Sequence, residues 1–185
     1  PAWHLTALAV TARHRGSPLV LAAAEYEYSL LQRGIEREVL PACQALGIGL
    51  LPWSPLGYGV LSGKYRHGTP PDSRGAGEAF GWSVRTYLGP AHRRVVEGVA
   101  RAADGLGVSP AEIAIAWVRD RPGVVAPLLG ARTVHQLRSA LAGDSLELPP
   151  EIRSVLDEVS APPMDYPEDG RAEGDAWPRT TSTAS

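Results

Sequence analysis

Three short, uninterrupted apolar runs set between helix-like segments constrain this chain more than any other feature. They are Leu19–Ala23, Ile48–Trp53 and Val124–Leu129. Runs of this kind suit strands buried on both faces, as in a parallel sheet, rather than the alternating strands of a sheet with one wet face. Between them the apolar spacing becomes helical. Pro1–Arg15 carries a stripe of Trp3, Leu5, Leu8, Ala9 and Ala12, and proline costs no hydrogen bond in a first turn. Gly16 and Pro18 are expected to stop that helix. Ile35–Leu46 predicts a second helix, closed by Gly47. Ala91–Leu106 predicts a third. Ser109-Pro110-Ala111-Glu112 is a helix start with a serine cap, proline at the first position and glutamate at the third, and its helix runs to about Arg121. Pro122-Gly123 turns the chain. Thr133 caps a helix through about Leu141, and Pro149–Val159 forms a last one.

Strands that alternate with helices imply an α/β fold with a parallel sheet covered by helices. Three strands alone would leave two bare edges. The chain also opens on a helix, its first residue is proline, and its one methionine is Met164. The expectation is therefore that the domain begins upstream of Pro1, with a structured part over residues 1–160. Beyond Ala161 the composition turns to Pro, Asp, Glu, Gly, Ser and Thr, which predicts a disordered tail over 161–185. The segment Ser54–Pro90, rich in Gly, Pro and Ser, is too long for an ordinary connection, which marks it as a functional or mobile loop.

Composition narrows the function classes. With 44% hydrophobic and 21% charged residues the chain can build one core, and a net charge of -2 without a basic stripe argues against nucleic acid. No apolar run approaches the roughly 20 residues of a membrane helix. The single cysteine, Cys43, excludes an intrachain disulfide. It lies among Val39, Leu40, Ala42 and Leu46, as a packed thiol in a reducing, cytoplasmic compartment would. The histidines show no metal-ligand spacing, and no cysteine partners them, so no metal site is expected.

Chemistry in such folds sits at the C-terminal ends of parallel strands. Three such ends are visible: Ala24–Tyr28, Trp53–Gly57 and Gly130–Thr133. Trp53 can lay its face on a flat ligand or serve as a rim aromatic. The stretch Gly57–Tyr65 offers glycines and Lys64 to an anion, or is a solvated loop; it is neither a Walker loop nor GxGxxG. Arg132 precedes a helix N-terminus, where free N–H groups favour phosphate, and Arg74 could add a second guanidinium. Each arginine alone is equally an ordinary surface residue. Together the three cations suit a bisphosphate.

Trp53-Ser54-Pro55-Leu56-Gly57 followed by Leu61-Ser62-Gly63-Lys64-Tyr65 resembles the aldo-keto reductase superfamily, most nearly the branch with the potassium-channel β subunits and many bacterial reductases. Glu27–Leu31, Glu38–Pro41, Ala114–Val118, Leu129–Thr133 and Gln136-Leu137 carry the likeness onward. The resemblance implies a (β/α)8 TIM barrel that binds NADP(H) at its C-terminal rim, here its strands six to eight, and hydride transfer to a small-molecule aldehyde or ketone. It places Trp53 on the nicotinamide, with Ser54, Pro55, Leu56, Gly57 and Lys64 along the pyrophosphate. Arg74 would close over the phosphates, and Gly130, Arg132 and Gln136 would lie by the adenosine 2′-phosphate.

The chain also departs from that family. Its catalytic Asp, Tyr, Lys and His would lie upstream of Pro1, so no catalytic residue is assigned, and Tyr28, Lys64 and His4 are not those groups. Glu25 stands where a carboxamide-binding glutamine is usual, and Ser139 and Ala140 stand where Glu-Asn usually meets the adenine. Three readings stay open: part of a reductase, a cofactor-holding regulatory module, or an inactive remnant. Trp82, in Phe80-Gly81-Trp82, and Trp177 are candidate pocket aromatics or plain surface ones.

Overall fold

The computed structural model describes residues 1–14 and 20–163. The expected helix stops at Gly16 and Pro18, the strand start at Leu19, Trp177 and all of the expected tail after residue 163 lie outside the described residues. In order, the elements are α1 (Ala2–His14), β1 (Ala23–Glu27), α2 (Val39–Leu46), β2 (Gly49–Trp53), α3 (Gly81–Thr86), α4 (Pro90–Leu106), α5 (Pro110–Arg119), α6 (Val134–Ser145) and α7 (Pro150–Val159). The fold is α/β, and β1 pairs with β2 in parallel, from Ala23 opposite Gly49 to Glu27 opposite Trp53.

The first strand lies further along the chain than the apolar run predicts. Pairing sets its place: Gly49 N–H donates to Ala22 O at 2.9 Å, and Tyr28 N–H donates to Trp53 O at 3.3 Å. The ladder therefore runs through the polar residues Glu25 and Glu27, while Val20 is 83% exposed and outside any strand. β1 is a half-bare edge, not a strand buried on both faces.

The expected third strand is also corrected. Val124–Leu129 runs parallel beside β2, but only Val124 forms a bridge, to Leu50. Leu50 N–H donates to Gly123 O and Val125 N–H to Leu50 O, each at 2.9 Å. The next pair of bonds in a parallel ladder would need the N–H groups of Pro52 and Pro127, which have none. The chain slips by one residue, and Leu128 N–H reaches Pro52 O at 2.7 Å instead. Gly49 permits the approach, since a Cβ there would lie 2.4 Å from Val125 Cγ2. The long loop likewise contains structure: short 3-10 turns at Val60–Ser62 and Arg74–Ala76, then α3.

The core centres on α5, whose residues Ile113 to Val118 are all buried. A helix apolar on every side belongs in a protein interior. The capping signal holds: Ser109 Oγ accepts the Glu112 N–H at 3.3 Å. Around Trp117 a polar clamp ties three elements. Trp117 Nε1 donates to Asp157 Oδ1 on α7 at 2.9 Å, and Arg121 donates to the same carboxylate at 2.8 Å. Arg33 forks onto Glu36 with both bonds at 2.9 Å, and Tyr28 Oη donates to Glu36 at 2.6 Å. Burial and the Glu36 carboxylate push the Tyr28 phenol far above its ordinary range.

α5 and α6 touch almost backbone to backbone at Gly143. A Cβ there would lie 3.0 Å from Ile115 Cβ and 3.1 Å from Glu112 Cα. Gly143→Ala is expected to cost about 1–3 kcal/mol as overpacking, read as a lower midpoint in thermal denaturation. An unchanged midpoint would mean that the two helices part freely.

Candidate cofactor site

A cleft of about 500 Å³ opens at the C-terminal end of β2. Trp53, the last residue of β2, stands at its rim, 37% exposed. The turn that follows is tight. Ser54 and Tyr58 have φ of 54° and 55°, the left-handed region that costs an L residue about 1–2 kcal/mol. Local bonds hold the turn: Tyr58 N–H donates to Ser54 Oγ at 2.9 Å and Gly57 N–H to Ser54 O at 2.8 Å. Such backbone concentrates at functional sites. Gly57, at φ 53°, has a second reason to be glycine, because a Cβ would sit 2.7 Å from Leu31 Cδ1.

Of the residues that the resemblance assigns to the cofactor, Trp53, Ser54, Pro55, Leu56, Lys64, Arg74, Gly130, Arg132 and Gln136 line this one cleft. Gly57 shapes the turn without lining it, and Glu25 sits exposed on β1, away from the lining. Sequence reasoning missed Tyr58, Leu128, Leu129 and His135 as wall residues. It also missed that Gln136 is a cap. Gln136 Oε1 accepts the Arg132 N–H at 2.8 Å while Thr133 Oγ1 accepts the Gln136 N–H at 3.2 Å. The signal was present as Thr-x-x-Gln before a helix.

The electrostatics have one sign. Lys64, Arg74 and Arg132 line the cleft, and among the described residues no Asp or Glu does. The Lys64 ammonium lies over Gly59, where a Cβ would be 3.2 Å from Nζ. Arg74 rests over the Phe80 ring at 5.7 Å, and Arg132 reaches Asp72 O at only 3.5 Å, the long limit of a hydrogen bond. Three cations without a carboxylate beside them favour an anion.

Behind Trp53 an aromatic series braces the long loop against β1. Trp53 meets Tyr58 edge-on at 6.4 Å, Tyr58 stacks on Tyr87 at 6.2 Å, and Tyr87 meets His92 at 5.2 Å. Tyr87 Oη donates to Glu27 Oε1 at 2.7 Å. Burial raises the Glu27 pKa, and the Tyr87 bond opposes that rise. The folded state therefore binds this proton more tightly than the unfolded chain. Stability from this group is complete below the ordinary carboxylate range and is lost as pH rises through the raised value. Glu27→Gln is expected to flatten that part of the curve in urea unfolding at successive pH values, and an unaltered slope would contradict it.

A profile of the aldo/keto reductase family matches residues 2–161. The chain belongs to the aldo/keto reductase family. Among curated relatives, the "Uncharacterized oxidoreductase YrpG" of Bacillus subtilis is 36% identical over 85% of this chain and 45% of its own length. "Protein tas" of Escherichia coli is 35% identical over 71% of this chain and 38% of its own. The "Probable voltage-gated potassium channel subunit beta" of Oryza sativa subsp. japonica is 42% identical over 60% of this chain and 34% of its own. The chain thus spans less than half the length of each of these relatives. Among the described residues, no helix of this aldo/keto reductase family member is long and apolar enough to cross a membrane, and no group of His, Cys, Asp and Glu could hold a metal ion.

Proposed function

We propose that the cleft is the NADP(H) site of an aldo/keto reductase that interconverts aldehydes or ketones with their alcohols. The carrying observation is the set Lys64, Arg74 and Arg132 around one cleft with no carboxylate among its described lining residues. A nicotinamide dinucleotide bearing a 2′-phosphate matches that charge, and exposed Trp53 offers a flat face to its nicotinamide. The residues present therefore fit the cofactor. Lys64 and Arg74 would hold the pyrophosphate, and Arg132 with the N-terminus of α6 the 2′-phosphate. When bound, the nicotinamide supplies or takes up the hydride. The chain's own contribution is to bind and orient it and to shield one face with Trp53 and Tyr58.

The proton for a carbonyl oxygen would come from outside this chain. Tyr28 is fully buried with its hydroxyl given to Glu36, which leaves it unfit as an acid for substrate. We place this chain as the part of a (β/α)8 barrel that contributes strands six to eight. Ala23 and Glu25 on β1 are exposed, and Val125 on the far side of β2 is 68% exposed, as residues of strands taken out of a closed barrel would be. The resemblance to a channel β subunit supports a second reading, a cofactor-holding regulatory module.

Titration calorimetry of NADPH and NADH into the full chain tests the proposal. Saturable heat with NADPH, and weaker binding of NADH, is the expected result. No binding of either would overturn it. Steady NADPH oxidation by this chain alone with a test aldehyde would overturn the placement of catalysis elsewhere.

A further inference from the structure

A second groove, of about 680 Å³, lies between α4 and α7 and shares no described lining residue with the cofactor cleft. Helical spacing builds its apolar wall. On α7, Ile152, Val155, Leu156 and Val159 recur at three- and four-residue intervals and so stand on one face. Leu156 is fully buried there, while Val155 is left 57% exposed. The two helices draw together at Gly98, where a Cβ would lie 3.2 Å from Val159 Cγ1.

The wall from α4 is cationic. Arg94 and Arg101 stand two turns apart along the groove, with Arg93 beside them, and all three are exposed. Glu97 is the one carboxylate in the described lining, and Arg66 holds it in a fork at 3.0 and 2.6 Å. Among the described residues, none of the three arginines has a carboxylate within ion-pair distance. An apolar floor under unmatched guanidinium groups selects an occupant that carries carboxylates together with apolar side chains.

The chain supplies such a segment. Residues 164–177 hold Asp165, Glu168, Asp169, Glu173 and Asp175 against the single Arg171, with Met164, Tyr166 and Trp177 among them. The segment follows α7 directly. Val159 lines the groove, and Pro162-Pro163 lead the chain off the helix end. Arg94 and Arg101 are about 11 Å apart along the helix axis. Asp165 and Asp169 in an extended chain would be about 13 Å apart, close to that spacing. A short tether also sets an effective concentration on the order of millimolar, which favours this segment over a separate acidic partner.

We propose that residues 165–175 of this chain dock in the groove between α4 and α7, with their carboxylates on Arg93, Arg94 and Arg101. Trypsin cleavage of the full chain after Arg171, followed by mass spectrometry, tests this. A synthetic peptide of residues 164–185 gives the rate for an undocked segment. The full chain is expected to be cut there about tenfold more slowly, the combined worth of two surface ion pairs. Arg94→Gln with Arg101→Gln should bring the rate up to that of the peptide at an unchanged melting midpoint. Salt at about 1 M, where screening shortens to about 3 Å, should do the same in the unaltered chain. The salt series needs no variant, so it decides even if the double substitution unfolds the protein. A full chain cut as fast as the peptide, or protection that neither change relieves, would overturn the inference. Protection that grows with protein concentration would overturn it too, by placing the segment in the groove of a second copy.

Discussion

Trp117→Ala is expected to destabilise the chain by about 3–5 kcal/mol, the range for deleting a large buried aromatic side chain, and to leave little folded protein at 37 °C if the domain has ordinary marginal stability. Trp117 is fully buried. Two guanidinium groups lie over its ring, Arg121 at 4.7 Å and Arg33 at 5.3 Å from the centroid, and the ring meets Tyr28 at 5.6 Å. Truncation opens a void and strips both cations of their aromatic face, in a place where Asp157 and Glu36 hold them. Trp117→Phe separates the contributions. It keeps most of the ring and removes the N–H bonded to Asp157, at an expected cost of about 1–2 kcal/mol. Urea unfolding followed by circular dichroism reads both. A loss below about 1 kcal/mol for the alanine variant would show that the clamp does not hold α5, α7 and the segment after β1 together.

The second large effect concerns binding. Arg132→Ala is expected to weaken NADPH about 10- to 100-fold and to leave NADH nearly unchanged, since a charge-assisted contact to phosphate is worth about 1.5–3 kcal/mol. The guanidinium is exposed and, among the described residues, makes only the long contact to Asp72 O, so its removal should not unfold the chain. A matching melting curve would show this. Equal losses for both cofactors would point to the pyrophosphate as the partner of Arg132. No loss for either would remove it from the site.

Local features of the fold were legible in sequence, and long-range ones were not. β2 could be read because Ile48–Trp53 is apolar and bounded by Gly47 and Ser54, and α5 because Ser109, Pro110 and Glu112 form a complete start signal. β1 was misplaced because its position is decided by pairing with β2, not by its own apolarity. The third strand dissolves for a reason visible in the letters, prolines at 52 and 127, but only once their facing positions are known. Most of the cleft was legible for the same local reason: Trp53 to Lys64 and Gly130 to Gln136 are short stretches at strand ends. Glu27 with Tyr87, Arg33 with Asp157 and Ser109 with Ser139 are pairs distant in sequence, which no periodicity can bring together.

The most direct test of the cofactor site is energy transfer from tryptophan to bound NADPH in the full chain and in Trp53→Phe. With Trp53 against the nicotinamide, the unaltered chain should show saturable tryptophan quenching with a matching rise in reduced-nicotinamide emission. Trp53→Phe should lose most of that transfer while still binding NADPH by calorimetry. Unchanged transfer in the variant, or NADPH that binds without quenching the unaltered chain, would contradict the placement of the nicotinamide at the end of β2.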